Sequence, residues 1–267
     1  MKRNSGIGAR AMAAITTVAS IAFLAAACTT GGGGPATTTT IACTAPTQIT
    51  GGNPVTTPPV PGWFSADTRS TGNVTVNATL GAPVGFGCNS AVMMTGATLS
   101  PPNASGQDKA QLFSFAKFGN TFASAGPVSY WAKRSSLSLS AAANMSLNLQ
   151  LFGTAGFAPG CTVTPGLGCF ATLVYEPYNQ SGGQAAITND VWQFWNATDT
   201  TPGNGVWWSS KITSGAGSQG LPQPFSFFQS LYSDATLGGY GFNVGSFNPD
   251  MVVAADGLTL GGTTTDF

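Results

Sequence analysis

The sequence predicts an all-β protein, an antiparallel β-sandwich of jelly-roll (concanavalin-like) type over residues 63–267. Short runs of β-branched and aromatic residues recur there, separated by Gly, Pro and Asn, as strands and turns alternate in a sandwich. In the run Asn73–Leu80, apolar and polar side chains alternate with period two, as in a half-buried strand. Evidence for helices is thin, and Phe225–Leu231 alone predicts one or two helical turns.

Further predicted strands follow in chain order. They are Ala91–Leu99, Ala110–Phe118, Val128–Lys133, Met145–Phe152, Phe170–Glu176, Val191–Trp195, Val206–Ile212, Gly239–Val244 and Met251–Leu260. Apolar side chains alternate along both Leu147–Leu151 and Phe170–Tyr175, so these two segments predict the arms of a hairpin.

Residues 1–28 have the pattern of an export signal. A basic head (Lys2, Arg3 and Arg10) precedes an apolar run of small residues that ends at Cys28. This end resembles a bacterial lipobox, which implies that Cys28 is lipidated and anchors the mature protein at the cell surface or the periplasmic face of a membrane. One alternative is ordinary cleavage after Ala25–Ala27, which would give a freely secreted protein. A transmembrane anchor is a third reading, although the run is shorter than the roughly 20 residues of a span.

Residues 29–62 predict a low-complexity tether. Gly31–Gly34, Thr37–Thr40 and several prolines cannot bury a core, so this segment is expected to be an extended, flexible spacer. A tether next to a lipidated cysteine would hold the sandwich away from the membrane.

The five cysteines are consistent with an oxidising compartment. If Cys28 carries lipid, Cys43, Cys88, Cys161 and Cys169 remain as an even set for disulfides. Cys161 and Cys169 flank a Pro-Gly turn and predict a local disulfide, worth about 2–3 kcal/mol if unstrained. Cys43–Cys88 is then the second pair. A zinc site is the alternative, and it is disfavoured because the chain has neither histidine nor a C-x-x-C pair.

Composition narrows the range of functions. Charged residues make up 7% of the chain, with nine basic and nine acidic residues. No basic patch is available, which argues against a nucleic-acid partner. The absence of histidine removes Ser-His-Asp and Cys-His catalysis and the commonest zinc ligand. We therefore expect a protein that is not an enzyme, with binding and paired-carboxylate chemistry left open.

Candidate binding residues concentrate in one third of the chain, where aromatic rings and polar side chains could recognise a sugar. They are Tyr175, Glu176, Tyr178, Asp190, Trp195 and Trp208. Period two places Phe194 and Trp195 on opposite faces of one strand, so at least half of the rings are expected in the core. Glu176 is the chain's single glutamate, and a pairing with Asp190 is the route by which a glycoside-active enzyme could arise.

Three aspartates are candidates for a structural calcium site. Asp256 lies near the end of the last long predicted strand, and Asp67 and Asp108 could complete an oxygen ligand set. Otherwise Asp256 faces solvent or caps a loop. The cofactor prediction is therefore none, with structural calcium as the alternative.

Several motifs together resemble a domain of exported bacterial proteins of mostly unassigned function, over about residues 63–267. They are Asp108–Phe113, Ser146–Gln150, Thr172–Pro177, Asp190–Trp195, Trp207–Ser209 and Ala255–Phe267. The resemblance implies a sandwich similar to lectins and carbohydrate-binding modules. We therefore expect an exported, cell-surface module for non-catalytic binding or adhesion, with a glycan or surface polymer as its partner. The alternatives are a structural surface protein without a small ligand and, less favoured, a carboxylate-based glycoside-active enzyme.

Overall fold

Strands dominate the described part of the chain. The computed structural model describes residues 46–49, 62–69, 71–96, 108–139, 144–153, 170–245 and 248–267. The strands are β1 (Thr47–Gln48), β2 (Trp63–Phe64), β3 (Asn73–Asn77), β4 (Ser90–Met94), β5 (Ala110–Ser114), β6 (Val128–Arg134), β7 (Ser146–Phe152), β8 (Phe170–Tyr175), β9 (Gln193–Asn196), β10 (Val206–Ser209), β11 (Gln223–Pro224), β12 (Thr236–Val244), β13 (Val252–Leu260) and β14 (Thr263–Thr265). The helices are α1 (Phe225–Leu231) and three 3-10 turns, Phe122–Ser124, Pro177–Asn179 and Gly183–Ala186.

The strands form two antiparallel sheets. Sheet 1 has the order β1-β3-β4-β13-β6-β9, with β14 also paired to β13, and sheet 2 has the order β11-β10-β8-β7-β12-β5-β2. This confirms the prediction of a mostly β, antiparallel sandwich. The chain crosses from the edge of sheet 1 to sheet 2 between β9 and β10, and this crossing forms the candidate site described below.

The core lies between the inner faces of the two sheets. Along β6 in sheet 1, Val128, Tyr130 and Ala132 are buried while the residues between them are partly exposed. From sheet 2, β7 contributes the buried side chains of Leu147 and Leu149 to the same cluster. The period-two alternation in the sequence therefore follows the two faces of these strands.

The predicted hairpin is confirmed, and local turns shorten two other strands. β7 and β8 pair antiparallel, and α1 has the bounds that the sequence predicts. β3 ends at Asn77, whose side-chain oxygen accepts the N–H of Thr79 at 2.8 Å and closes a turn. β9 starts two residues later than predicted, because Asp190, with φ 59°, lies in a turn before it.

Part of the predicted tether belongs to the sandwich. Within residues 29–62, Thr47 and Gln48 form β1 and pair with β3. The next residue, Ile49, is buried in the core cluster. The prediction of a tether is therefore wrong for residues 47–49. Thr47 and Gln48 pair with β3 as an edge strand, and the side chain of Ile49 is buried in the core.

Most of the N-terminal and cysteine predictions fall outside the described residues. These include the signal over residues 1–28, the lipidated Cys28, and Cys43, Cys161 and Cys169. Cys88 is disulfide-bonded, and its pairing with Cys43 stays a prediction, as does the Cys161–Cys169 bond. In the ranges that the structure describes, no helix is long and apolar enough to cross a membrane.

Candidate functional site

Two of the aromatic residues predicted to bind a ligand are mostly core residues. Trp195 is 9% exposed and faces inward on β9, opposite Tyr130 of β6. Tyr175 is buried and packs against Tyr130 and Trp207, with ring centroids 6.0 and 5.4 Å apart. These two rings are therefore packed into the core, and their assignment as ligand-binding residues stays a prediction.

Glu176, Tyr178 and Trp208 do come together, but as one network. The Glu176 carboxylate accepts the indole N–H of Trp208 at 2.8 Å and the side-chain amide of Asn179 at 3.0 Å. Burial raises the pKa of Glu176, and the hydrogen bonds from Tyr178, Trp208 and Asn179 oppose this shift. The carboxylate thus binds side chains of its own neighbours. These bonds join the end of β8, the 3-10 turn that follows it and β10.

Asp190 lies beside sheet 1, whereas Glu176 follows β8 of sheet 2. It lies in a turn beside the end of β6, where its carboxylate accepts the N–H of Ser136 at 3.0 Å. Hydrogen bonds from Ser136 lower its pKa. Among the described contacts, none joins Asp190 to Glu176, so these contacts do not assemble the two-carboxylate arrangement of a glycosidase.

The three predicted calcium ligands each have separate partners. Asp67 forms ion pairs with Arg69 at 2.5 Å and Lys109 at 2.8 Å, and the pKa of Asp67 is lowered to about 2, chiefly by the Arg69 hydrogen bond. Asp108 accepts the backbone N–H of Thr71 at 2.9 Å.

Asp256 is fully buried, and one of its oxygens accepts the N–H groups of Gly257 at 2.8 Å and Phe267 at 3.1 Å. Within the described ranges, no group of three or more His, Cys, Asp or Glu side chains could hold a metal ion. The calcium set of Asp67, Asp108 and Asp256 is thus not assembled. Asp256 lies in the middle of β13 and is buried, so the alternative in which it faces solvent is wrong as well.

A cleft of about 420 Å³ opens where the chain crosses from β9 to β10. Its lining combines amides, hydroxyls, a carboxylate and aromatic rings: Tyr175, Gln180, Ser181, Phe194, Trp195, Asn196, Asp199 and Asn204. Two of these, Tyr175 and Trp195, belong to the residue set that the sequence predicts. The others follow from the crossing, which brings the end of β9, the turn after β8 and the loop over residues 197–205 together.

The wall of the cleft is held by a buried amide. Gln180 donates to the carbonyls of Glu176 at 2.9 Å and Val206 at 3.1 Å, and it accepts the N–H of Val206 at 3.1 Å. These three bonds fasten the turn after β8 to the start of β10. Gly205 tightens the facing loop, because its φ of +56° and a backbone oxygen of Asp199 only 2.2 Å from an added Cβ exclude any larger residue.

Asp199 carries the charge of the cleft. Its carboxylate accepts the N–H of Thr201 at 2.9 Å and the side-chain amide of Asn204 at 3.1 Å. These bonds, with the Thr201 backbone bond the strongest influence, lower the pKa of Asp199. The group is therefore ionised near neutral pH, and it is partly exposed to solvent. It offers a fixed acceptor to hydroxyl or amine donors.

An aromatic pair continues the cleft onto the outer face of sheet 1. Phe194 is 53% exposed and lies opposite Trp131 of β6, with ring centroids 5.3 Å apart. Phe194 also lines the cleft. The ring that β9 offers to solvent is therefore Phe194 rather than Trp195. Sequence alternation separates the two faces of β9, but it does not say which face is covered.

No protein-family model, curated protein or solved structure matches the chain.

Proposed function

We propose that the protein is a non-catalytic binding module for glycans and that the cleft around Asp199 is its site. The observation that carries the proposal is the lining of this cleft. A half-exposed aromatic ring, amides, a hydroxyl and one ionised carboxylate converge on a space of about 420 Å³. Sugar recognition requires this combination, since ring faces pack against the C–H faces of a pyranose while polar groups bond its hydroxyls.

Hydrogen-bonding groups remain free for such a ligand. Asn196 and Ser181 are both exposed. The side-chain oxygen of Asn196 accepts the Thr198 N–H at 3.1 Å, so its amide N–H₂ can serve as a donor to a ligand. Gln180 holds the turn that carries Ser181, and Asn196 is on β9, so little ordering is needed on binding.

A glycan array with the sandwich and its variants tests this function. We expect Phe194→Ala and Asn196→Ala to lower binding at least tenfold, because each removes a group that faces the cleft. The matched control is Phe118→Ala, which truncates a phenylalanine that is 67% exposed and absent from the cleft lining. An array without signal from well-folded protein would reject the proposal.

The second candidate is an adhesive or structural surface protein without a small ligand. Exposed apolar side chains in neighbouring loops favour it: Leu137 is 73% exposed, Leu139 78% and Val191 49%. The N–H of Ser136, next to Leu137, binds the carboxylate of Asp190, next to Val191, so the two loops are adjacent. A silent array combined with concentration-dependent self-association that is lost in Leu137→Ser would favour this function.

For the context of the module, we propose export and attachment to a membrane through lipid on Cys28. The basic head, the apolar run and the cysteine after it support this proposal. Metabolic labelling with a fatty acid should mark the wild type and not Cys28→Ala. Equal labelling of both, or of neither, would leave a secreted protein.

We also propose that the sandwich is a jelly roll. Four antiparallel pairs are nested in the chain: β4 with β13, β5 with β12, β6 with β9 and β7 with β8. They alternate between sheet 1 and sheet 2, as expected for a long hairpin rolled into two sheets. Amide contacts across all four pairs in solution would agree with this topology, and a missing outer pair would contradict it.

A further inference from the structure

A second concavity lies on the other side of Asp199. It has a volume of about 280 Å³, and its lining includes Thr198, Thr200, Ser226 and Gln229 together with Asp199 itself. Because Asp199 also lines the larger cleft, the two concavities share this residue. The loop over residues 197–205 therefore separates two adjoining spaces and contributes to the walls of both.

The second concavity is built from different elements. Ser226 and Gln229 are on α1, while Thr198 and Thr200 are on the crossing loop. The loop is fixed here, because the Thr198 hydroxyl accepts the N–H of Val128 at 3.2 Å and donates to Asn196 at 3.1 Å. Gln229 donates to the carbonyl of Ala123 at 3.3 Å, which leaves its side-chain oxygen as an acceptor. Both concavities thus have polar walls whose positions are set by hydrogen bonds.

The charge of the lining restricts which ligands the two concavities can bind. Among the residues that line the two concavities, Asp199 is the one carboxylic acid, and none is Lys or Arg. Its carboxylate stands at the junction, where it repels uronate, sulfate or phosphate groups on a ligand. A neutral sugar meets a hydrogen-bond acceptor there, and an amine-bearing sugar meets an opposite charge.

We infer that the two concavities form one groove for a chain of at least two linked sugar residues, neutral or amine-bearing, with Asp199 at the junction between neighbouring units. This inference rests on the proposed function and adds the length and charge of the ligand. One unit occupies the larger cleft beside Phe194. The next unit passes Asp199 and bonds the hydroxyl and amide groups of the α1 side.

Binding as a function of chain length tests the groove. Affinities of the whole protein are measured by calorimetry for monomers to hexamers of β-linked glucose, N-acetylglucosamine, glucosamine and galacturonic acid. We expect affinity to rise at least tenfold from the monomer to the dimer or trimer in one neutral or amine-bearing series and then to level off. The galacturonic acid series should bind at least tenfold more weakly at every length.

A blocking variant separates the two concavities. Ser226→Phe places a ring in the smaller concavity, so it should abolish the gain in affinity with chain length. Ser230→Phe is the matched control, because Ser230 is exposed on the same helix and does not line the groove. The control should keep the gain.

The outcomes distinguish failure of the groove, of its charge preference and of the proposed function. If monomers bind as tightly as longer chains, the groove is wrong and glycan binding stands. Tight binding of galacturonic acid oligomers would overturn the charge assignment. If a well-folded protein binds no member of any series and the glycan array is also silent, the proposed function fails together with the inference.

Discussion

Two carboxylates in this sandwich accept hydrogen bonds from their neighbours, and yet their pKa values are shifted in opposite directions. Asp199, in the loop after β9, accepts bonds from Thr201 and Asn204, is open to solvent and has a lowered pKa. Asp256, in β13, accepts two backbone N–H bonds, is fully buried and has its pKa raised to about 7. Burial makes the difference, since loss of hydration at Asp256 outweighs the two donors that favour its charge.

The comparison separates a structural carboxylate from one that is available to a ligand. At Asp256 one oxygen binds Gly257 and Phe267, and the other is buried without a hydrogen-bond partner among the described residues. The ring of Phe267 packs against Trp63, with centroids 4.9 Å apart. Asp256 thus fixes a chain segment to the core at an electrostatic cost, whereas Asp199 keeps its charge where solvent and ligand reach it.

The largest expected effect is a pH dependence of the free energy of unfolding that arises from Asp256. Its pKa of about 7 in the folded state exceeds the ordinary 3.8. The folded protein therefore holds a proton between about pH 4 and 7 that the unfolded chain has released. Stability should fall as the pH rises through this window and level off above it, by an amount on the order of 3 kcal/mol between pH 5 and pH 8.

Asp256→Asn removes this dependence. The amide oxygen still accepts the two N–H groups, and no charge forms at high pH. Urea unfolding at both pH values should show the variant close to the wild type at pH 5 and more stable at pH 8. Equal losses of stability in wild type and variant between the two values would show that Asp256 is ionised without cost in the fold.

The next effect concerns the wall of the cleft. Gln180→Ala leaves the N–H of Val206 without its partner and removes one donor each from the carbonyls of Glu176 and Val206, which should lower the free energy of unfolding by about 2–3 kcal/mol. Gln184→Ala, in the exposed 3-10 turn nearby, is the control and should change stability little. Denaturant midpoints of the two variants provide the measurement. A wild-type midpoint for Gln180→Ala would mean that the wall does not depend on this amide.

Strand positions could be predicted from the sequence because they follow from local alternation. Val74 and Val76 on β3, for example, are buried at every second position, as their spacing indicates. The helix α1 was predictable for a similar reason. It is a short apolar run bounded by a Pro-containing loop, and it needed no information from distant residues.

The geometry of the candidate site depends on contacts between residues distant in sequence, which local sequence patterns do not reveal. Whether Phe194 or Trp195 faces solvent is decided by the register of β9 on β6, where Phe194 lies beside Trp131 and Trp195 beside Tyr130. In the same way, Asp67 could not be excluded as a calcium ligand until Lys109, distant in sequence, was placed 2.8 Å from it. Asn196, Asp199 and the Pro202–Gly203 pair are residues that favour tight turns, so they are a sequence signal for the loop of residues 196–205 that forms the cleft wall.

Asp199→Asn should have the smallest effect on stability, and it tests most directly the difference between Asp199 and Asp256. Solvent reaches the donors around Asp199, so the melting temperature should shift by no more than a few degrees and should not acquire a pH dependence between pH 5 and 8. Ligand binding should change instead. Because the pKa of Asp199 is lowered, its charge is fully present across this range and would be lost only in acid. Loss of the charge should weaken glucosamine oligomers more than neutral ones.

Asp190→Asn is the matched control for this variant, because Asp190 is also an exposed aspartate with a lowered pKa and does not line either concavity. It should leave the affinities for both kinds of oligomer unchanged. A large loss of stability in Asp199→Asn would place Asp199 with Asp256 as a structural group. Equal weakening of glucosamine and neutral oligomers would mean that the carboxylate acts as a hydrogen-bond acceptor, because its charge would then make no difference between the two ligands.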